Sequence, residues 1–164
     1  MHCDLLLSHP CKQANKQTSK GAFHLLPIAA DGLYLSASAY DVAVNSDYSG
    51  YVYGNSDTGS GDVNNGYGTS ASMDASHNSN NTVTANAAVG GNYSVYGTCW
   101  NASDADVTHN TVTIVGSGSG GQYVYGGLND YGGGTVSDNK VIINTTGEVG
   151  HTVSTAVQEM VPPQ

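Results

Sequence analysis

The strongest constraint on the fold of this chain is an internal 29-residue repeat. The segment Asn-Thr-Val-Thr-Ile at 110–114 recurs as Asn-Thr-Val-Thr-Ala at 81–85 and as Asn-Lys-Val-Ile-Ile at 139–143. Val-Tyr-Gly at 124–126 has the same sequence one period earlier, at 95–97. Landmarks that share one period indicate stacked structural units, because a chance effect of composition would not keep a fixed spacing.

The repeat becomes irregular towards its beginning. Val-Tyr-Gly at 52–54 resembles the later motif, but Tyr53 precedes Tyr67 by only about half a period and is therefore out of phase with the regular spacing. We therefore interpret residues 40–65 as an earlier unit with a different loop length. The regular spacing itself places Tyr67, within Gly-Tyr-Gly at 66–68, below Tyr96.

Short extended segments are the predicted secondary structure of each unit. In the best-defined unit they surround Val112, Val124 and Val136, and the alternation of apolar and polar residues around Val112 is typical of a strand. Glycine-rich segments at 116–121 and 132–134 separate them, as turns would require. No segment has a clear helical period, so the sequence predicts an all-β fold: a single-stranded β-helix, or β-solenoid, of three to four coils.

Stacking explains why such units would fold together. The repeat register predicts a buried column and an amide ladder, whose members are Val83, Val112 and Val141 for the column and Asn81, Asn110 and Asn139 for the ladder. Identical amides about 4.8 Å apart can bond to the residues above and below. We interpret both sets as structural, with no catalytic role.

Composition and charge restrict the fold and the classes of partner that are possible for this chain. Large aliphatic residues nearly vanish after Leu35, so each layer has only a thin core, which a repeat architecture tolerates. From residue 21 onward there are 12 acidic residues and one lysine, a difference of −11. Such a surface repels phosphate backbones, so we expect no nucleic-acid partner.

The two ends differ from the repeats. Residues 1–39 contain the other three lysines, an apolar stretch at 21–30 and Ala-Ser-Ala at 37–39, and we interpret them as a poorly ordered leader or degraded signal-like segment. The repeats are expected over 40–157 and a tail over 158–164. The early His and Cys residues match no standard zinc spacing, so no metal or cofactor is predicted; they are His2, Cys3, His9 and Cys11.

These motifs resemble a known class of sequences. Asn-Thr-Val-Thr-Ile (110–114), Val-Tyr-Gly-Gly (124–127) and Gly-x-Val-x-x-Asn (134–139) are similar to the repetitive passenger regions of Gram-negative autotransporter adhesins. Tyr-Asp-Val-Ala-Val at 40–44, following residues 37–39, resembles the start of a mature passenger. The similarity covers about residues 40–155 and implies a right-handed β-helix. It also implies a non-enzymatic adhesin, secreted or at the bacterial cell surface in association with the outer membrane. Passengers of that family are exported by a C-terminal membrane barrel, for which the 164 residues leave no space.

Tyrosines are the candidate ligand-binding residues. Tyr96 and Tyr125, with Tyr67 below and Tyr123 beside them, would form an exposed row if the neighbouring valines point inward. Exposed rings can contact the sugar rings of a host glycan or cell-wall polymer. The alternative is that the rings only stack on one another and shield the strands.

An enzymatic alternative rests on loop aspartates. Many β-helices act on polysaccharides, and a lyase or glycoside hydrolase needs acidic residues, of which one has a raised pKa. The candidates are Asp104, Asp106, Asp130 and Asp138. They lie among glycines, so we interpret them as solvated loop residues and expect no catalytic residue. Three to four coils without end caps also leave two open sheet edges, which predicts self-association.

Overall fold

The computed structural model describes residues 39–69, 74, 76–101, 105–130, 133–155 and 157–159. The predicted leader up to residue 38 and the end of the tail from residue 160 lie outside these residues. The described part is almost entirely β-structure, with strands β1 to β14 and one short 3-10 helix, Val63–Asn65. The strands are, in chain order, Asp41–Val44, Val52–Tyr53, Gly61–Asp62, Thr82–Ala85, Ser94–Tyr96, Cys99–Asn101, Val107–Thr108, Thr111–Gly116, Tyr123–Tyr125, Leu128–Asp130, Val136–Ser137, Lys140–Thr145, Thr152–Ser154 and Val157–Glu159. The all-β prediction is confirmed.

The strands form four sheets in which neighbouring strands run parallel. The first sheet has the order β12-β8-β4-β1-β3, and the second has the order β13-β9-β5-β2. The third sheet is β14-β10-β6, and the fourth is the pair β11-β7. The last strand, β14, continues to Glu159, slightly beyond the predicted end of the repeats at residue 157.

Pairing follows the sequence repeat over the later units. Val83 pairs with Val112 and Val112 with Val141, so each of these steps along the first sheet equals one period of the repeat. The first step is longer than one period, because Val42 pairs with Val83. The different length of the earlier unit is therefore confirmed, but the unit extends beyond its predicted end at residue 65, because the next strand of this sheet begins at Thr82.

One residue assignment in that earlier unit is wrong. The structure pairs Tyr53, not Tyr67, with Tyr96. Between Tyr53 and Tyr96 lies an insertion, and a count of one period back from Tyr96 ends inside it. The phase difference between Tyr53 and Tyr67 was the signal of that insertion.

The first core lies between the first and second sheets. Valines dominate it, since their branched side chains fit the pleated surface of a half-buried strand. Ile114 and Val112 from β8 pack with Val124 from β9, and all three are fully buried. The complete cluster is Val42, Val44, Val52, Val63, Val83, Ala85, Val89, Val95, Val112, Ile114 and Val124.

A second core lies on the opposite face of the second sheet. Tyr125 projects there from the strand whose Val124 belongs to the first core, and it packs in one cluster with Cys99 and Val107. The second sheet also contributes Tyr53 and Tyr96, and the third and fourth sheets contribute the partly buried Leu128 and Val136. The sequence did not predict a strand at Leu128–Asp130, because Leu-Asn-Asp after two glycines has no strand signature.

An insertion closes the N-terminal end of the stack. β3 pairs with β1 on the side away from β4, and Val63 of the 3-10 helix is buried in the first core. The backbone N–H of Tyr53 donates to the carbonyl of Gly68 at 2.7 Å, which covers the edge of the second sheet. The expectation of two uncapped ends is therefore wrong at this end.

The C-terminal end is open among the described residues. Ile143 is 42% exposed and Val153 is 46% exposed, whereas their equivalents one unit earlier, Ile114 and Val124, are fully buried. The asymmetry between the ends follows from the insertion, which has no counterpart after β12 in the described part of the chain. Within the described residues, no helix has the length and apolar character needed to cross a membrane.

Candidate functional site

A column of three tyrosines runs through the second core. The rings of Tyr53 and Tyr96 stack with centroids 5.2 Å apart and an interplanar angle of 10°. Tyr96 and Tyr125 follow at 5.5 Å and 33°. Burial raises the pKa of Tyr53 and of Tyr96 well above the ordinary value for a phenol. The column therefore consists of neutral rings that pack on each other.

The expected exposure of Tyr96 and Tyr125 is wrong, since they are 2% and 7% exposed. Strand alternation correctly separates them from the valines, but the outer face of the second sheet is covered by the third and fourth sheets. Tyr67 is 38% exposed and stands apart from the column, with its ring over the backbone of Gly61. The four predicted tyrosines therefore do not form one exposed row.

Three half-buried tyrosines at the margin of the column are the better candidates for ligand contact. Tyr51, Tyr93 and Tyr123 are the rim tyrosines. Tyr123 stacks on Tyr125 at 6.0 Å and 8°, and Tyr51 meets Tyr93 edge-on at 5.3 Å and 88°. Of these, sequence reasoning named only Tyr123. Tyr51 was hidden by the irregular first unit, and Tyr93 has no equivalent tyrosine in the next unit.

Stacking on buried rings holds two of the rim tyrosines in place. Tyr51 stacks on Tyr53 at 6.2 Å and 25°, in the same way that Tyr123 stacks on Tyr125. In the strand register Ser94 lies between Tyr51 and Tyr123, and it is fully buried. A small residue thus separates two aromatic rings that are two units apart. Rings fixed before binding lose little conformational entropy when a ligand is bound.

The asparagine ladder is a buried hydrogen-bond network. The backbone N–H of Asn81 donates to Oδ1 of Asn110 at 2.9 Å, and the N–H of Asn110 donates to Oδ1 of Asn139 at 2.9 Å. In the first unit the N–H of Tyr40 donates to Oδ1 of Asn81 at 3.0 Å. Each ladder residue is buried. The repeating bond is backbone to side chain, and a direct amide-to-amide bond is added between Asn110 and Asn139.

The residue before each ladder asparagine adopts a left-handed conformation. Asn80, His109 and Asp138 have φ values of 66°, 60° and 56°. Asn, Asp and His are the non-glycine residues most enriched in this region. This explains His109 as a turn residue at the position also occupied by Asp138.

The loop aspartates do not form an acid pair in the described residues. Oδ1 of Asp106 accepts a bond from the backbone N–H of Thr135, one unit later, at 2.8 Å. Asp138 accepts from the hydroxyl of Ser137 at 2.9 Å, and both acids are exposed. Asp104 and the side chain of Asp130 lie outside the described part. Where described, these acids serve turns and contacts between units.

A polar cluster beside the first unit escaped the sequence reasoning. Oδ2 of Asp74 accepts from the hydroxyl of Tyr40 at 2.9 Å and lies 2.7 Å from Nδ1 of His77. The rings of Tyr40 and His77 stack at 3.9 Å and 8°. Burial and the bond to Asp74 raise the pKa of Tyr40 to about 12. Asp74 and His77 are close in sequence, but Tyr40 is 34 residues from Asp74 and the cluster belongs to no repeat, so no pattern pointed to it.

This cluster lacks the arrangement of a nucleophilic relay. Ser76 Oγ lies 2.9 Å from Nδ1 of His77, the same nitrogen that faces Asp74. A relay requires the acid and the nucleophile on different ring nitrogens. The burial of Asp74 raises its pKa, but bonds from Ser76 and Tyr40 and the charge of His77 outweigh this, so its pKa is lowered overall. The cluster therefore serves as an anchor for the insertion.

In the part of the chain that the structure describes, neither a reactive cysteine nor a set of metal ligands forms a further candidate site. Cys99 lies in β6, paired with Leu128, where it is fully buried and disulfide-bonded. Over the described residues, no group of three or more His, Cys, Asp or Glu side chains is arranged to hold a metal ion.

Comparisons with models of known protein families, with curated proteins and with solved structures find no match for this chain.

Proposed function

We propose that the chain is a β-solenoid segment with a non-enzymatic, adhesive role, secreted or displayed at a bacterial cell surface. In this proposal each 29-residue unit is one coil, and the coils are right-handed, as in the passenger regions that the repeats resemble. The parallel pairing of Val83, Val112 and Val141 supports one coil per period. The strongly acidic balance after residue 20 suits an exposed protein surrounded by salt.

The observation that carries the adhesive role is the placement of the rim tyrosines. Tyr123 and Tyr51 are half-buried and are stacked on the inner column, so each presents part of an aromatic ring on a rigid support. An aromatic ring fixed in this way is suited to the apolar face of a sugar ring. The proposed partners are therefore glycans of a host or neighbouring cell.

Binding of the full chain to immobilised polysaccharides tests this proposal. Pectin, glycosaminoglycans and peptidoglycan are suitable probes, with retained protein measured at increasing polymer concentration. We expect Tyr123→Ala to weaken binding by about tenfold, equivalent to about 1.4 kcal/mol. Tyr67→Ala is the matched control, because Tyr67 is also accessible but stands apart from the column, and it should leave binding unchanged.

Two results would contradict the proposal. One is the absence of binding to every polymer. The other is the release of new reducing or unsaturated ends that is lost in Asp106→Asn or Asp138→Asn, since this outcome would support a polysaccharide-active enzyme instead.

A further inference from the structure

Among the described residues the C-terminal end of the stack is open, and its last strand has the hydrogen-bonding pattern of a contact between units. The N–H of Lys140 donates to the carbonyl of Asn110 at 2.7 Å, and the N–H of Thr146 donates to the carbonyl of Gly116 at 3.0 Å. In a parallel pair, alternate residues direct their backbone groups to the same neighbour. The intervening residues of β12, including Ile143, therefore point their N–H and C=O groups to the free edge.

The apolar residues at this end have the exposure expected of an uncompleted layer. Ile143 is the fourth member of the column that begins with Val44 and continues through Ala85 and Ile114. The first three are completely buried, whereas Ile143 is 42% exposed. A covering layer would remove this apolar surface from water, which is the main favourable contribution to association.

We propose that two copies of this chain pair end to end through their C-terminal units, with β12 of one copy antiparallel to β12 of the other. The surface that covers this end must offer an unpaired strand edge and exposed apolar residues at the same spacing as those of β12 and β13. The last unit of a second copy has both. The capped N-terminal end does not, because β3 and Val63 occupy the corresponding positions. Association therefore stops at two copies and does not continue into a filament.

Charge supports the antiparallel arrangement. Lys140 stands at the start of β12, and Glu148 follows shortly after the end of the strand at Thr145. Both side chains are exposed. Lys140 is the only basic residue, apart from histidines, after residue 20. A twofold axis through Asn144 places Lys140 of each copy opposite Glu148 of the other, so this lysine is close to an acid in both copies.

Sedimentation equilibrium of the full chain over a range of concentrations tests the proposal. We expect a concentration-dependent rise from 16.8 kDa to twice that mass and no further. Ile143→Lys and Val153→Lys should each raise the dimer dissociation constant by at least about tenfold. Tyr67→Lys is the control at the capped end, where an exposed apolar residue is replaced in the same way, and it should have no effect.

Charge reversal provides a second measurement if the lysine variants alter the fold. Lys140→Glu and Glu148→Lys should each weaken the dimer, and the double variant should restore it, because the opposed charges are exchanged. A monomer at every concentration would overturn the proposal and leave this end to a different partner. A mass that grows beyond the dimer, equal effects of changes at both ends, or a double variant that does not recover would also overturn it.

Discussion

Oδ1 of Asn139 accepts two hydrogen bonds from Asn110, one from its backbone N–H and one from its Nδ2, each at 2.9 Å. The two residues are one repeat apart and both are buried. Asn110 in turn accepts at its own Oδ1 from Asn81 and from the hydroxyl of Thr98. Asn110 thus accepts hydrogen bonds from one neighbouring unit and donates to the other. This explains why asparagine recurs at this position.

The ladder predicts a large effect for Asn110→Ala. The change removes a fully buried amide and leaves buried donors without acceptors, at about 1–3 kcal/mol for each unsatisfied group. We expect the free energy of unfolding to fall by about 3 kcal/mol or more, measured by urea denaturation followed by circular dichroism. Asn92→Ala, at an exposed position, is the control and should change it by less than about 0.5 kcal/mol. Equal effects of the two changes would contradict the ladder.

Close approach between units predicts that Gly97 tolerates no side chain. A Cβ at this position would collide with the carbonyl oxygen of Gly126 in the next unit, and Gly54 stands in the same relation to Gly97. We expect Gly97→Ala to destabilise the protein by about 1–3 kcal/mol, as overpacking does. Gly91→Ala meets nothing within 4 Å and should be within about 0.5 kcal/mol of the parent protein. Thermal unfolding of the two variants side by side measures the difference, and similar melting temperatures would rule out the contact.

The N-terminal cap contains two glycines with the same backbone conformation, and we expect alanine substitutions at these positions to differ in their effect on stability. Gly66 and Gly68 have φ values of 88° and 64°, so an alanine at either is strained by about 1–2 kcal/mol. At Gly68 the new methyl group would also collide with Val42, whereas at Gly66 it meets nothing within 4 Å. Gly68→Ala should therefore be the more destabilising and should speed amide hydrogen exchange in β1. Faster exchange in β12 instead of β1 would show that the cap is not where the change acts.

Alkaline pH should destabilise the protein through its buried tyrosines. Burial raises the pKa of Tyr53 and of Tyr96 above the ordinary value of 10.0, and the pKa of Tyr40 is raised to about 12. The folded state thus favours the neutral phenol, so this contribution is fully present below about pH 10 and is lost as the pH rises towards about 12. We expect the urea midpoint to be steady up to about pH 10 and then to fall, with phenolate absorbance increasing on unfolding.

Tyr96→Phe isolates one of these groups. The ring remains in the column but can no longer ionise, so the decline of the urea midpoint above about pH 10 should become shallower. An unchanged slope would mean that Tyr96 does not titrate with unfolding.

The sequence by itself determined the repeat and its consequences. Equal spacing of Val83, Val112 and Val141 predicted the parallel pairing, because a parallel stack places equivalent residues side by side. Spacing likewise identified the ladder of Asn81, Asn110 and Asn139. The alternation of Val124 and Tyr125 correctly assigned them to opposite faces of a strand, since successive side chains in a strand must diverge.

Only the tertiary structure decided what each face meets. Tyr96 and Tyr125 are buried because the third and fourth sheets cover them, and alternation within one strand carries no information about a layer contributed by Leu128 and Val107. The unusual length of the first unit could be predicted, because Tyr53 and Tyr67 depart from the regular spacing. Its role as a cap could not be predicted, because capping depends on where the insertion lies relative to β1. Periodicity determines the contacts between equivalent residues. Contacts between non-equivalent residues, which create the second core, place the rim tyrosines and form the N-terminal cap, arise only when the chain folds.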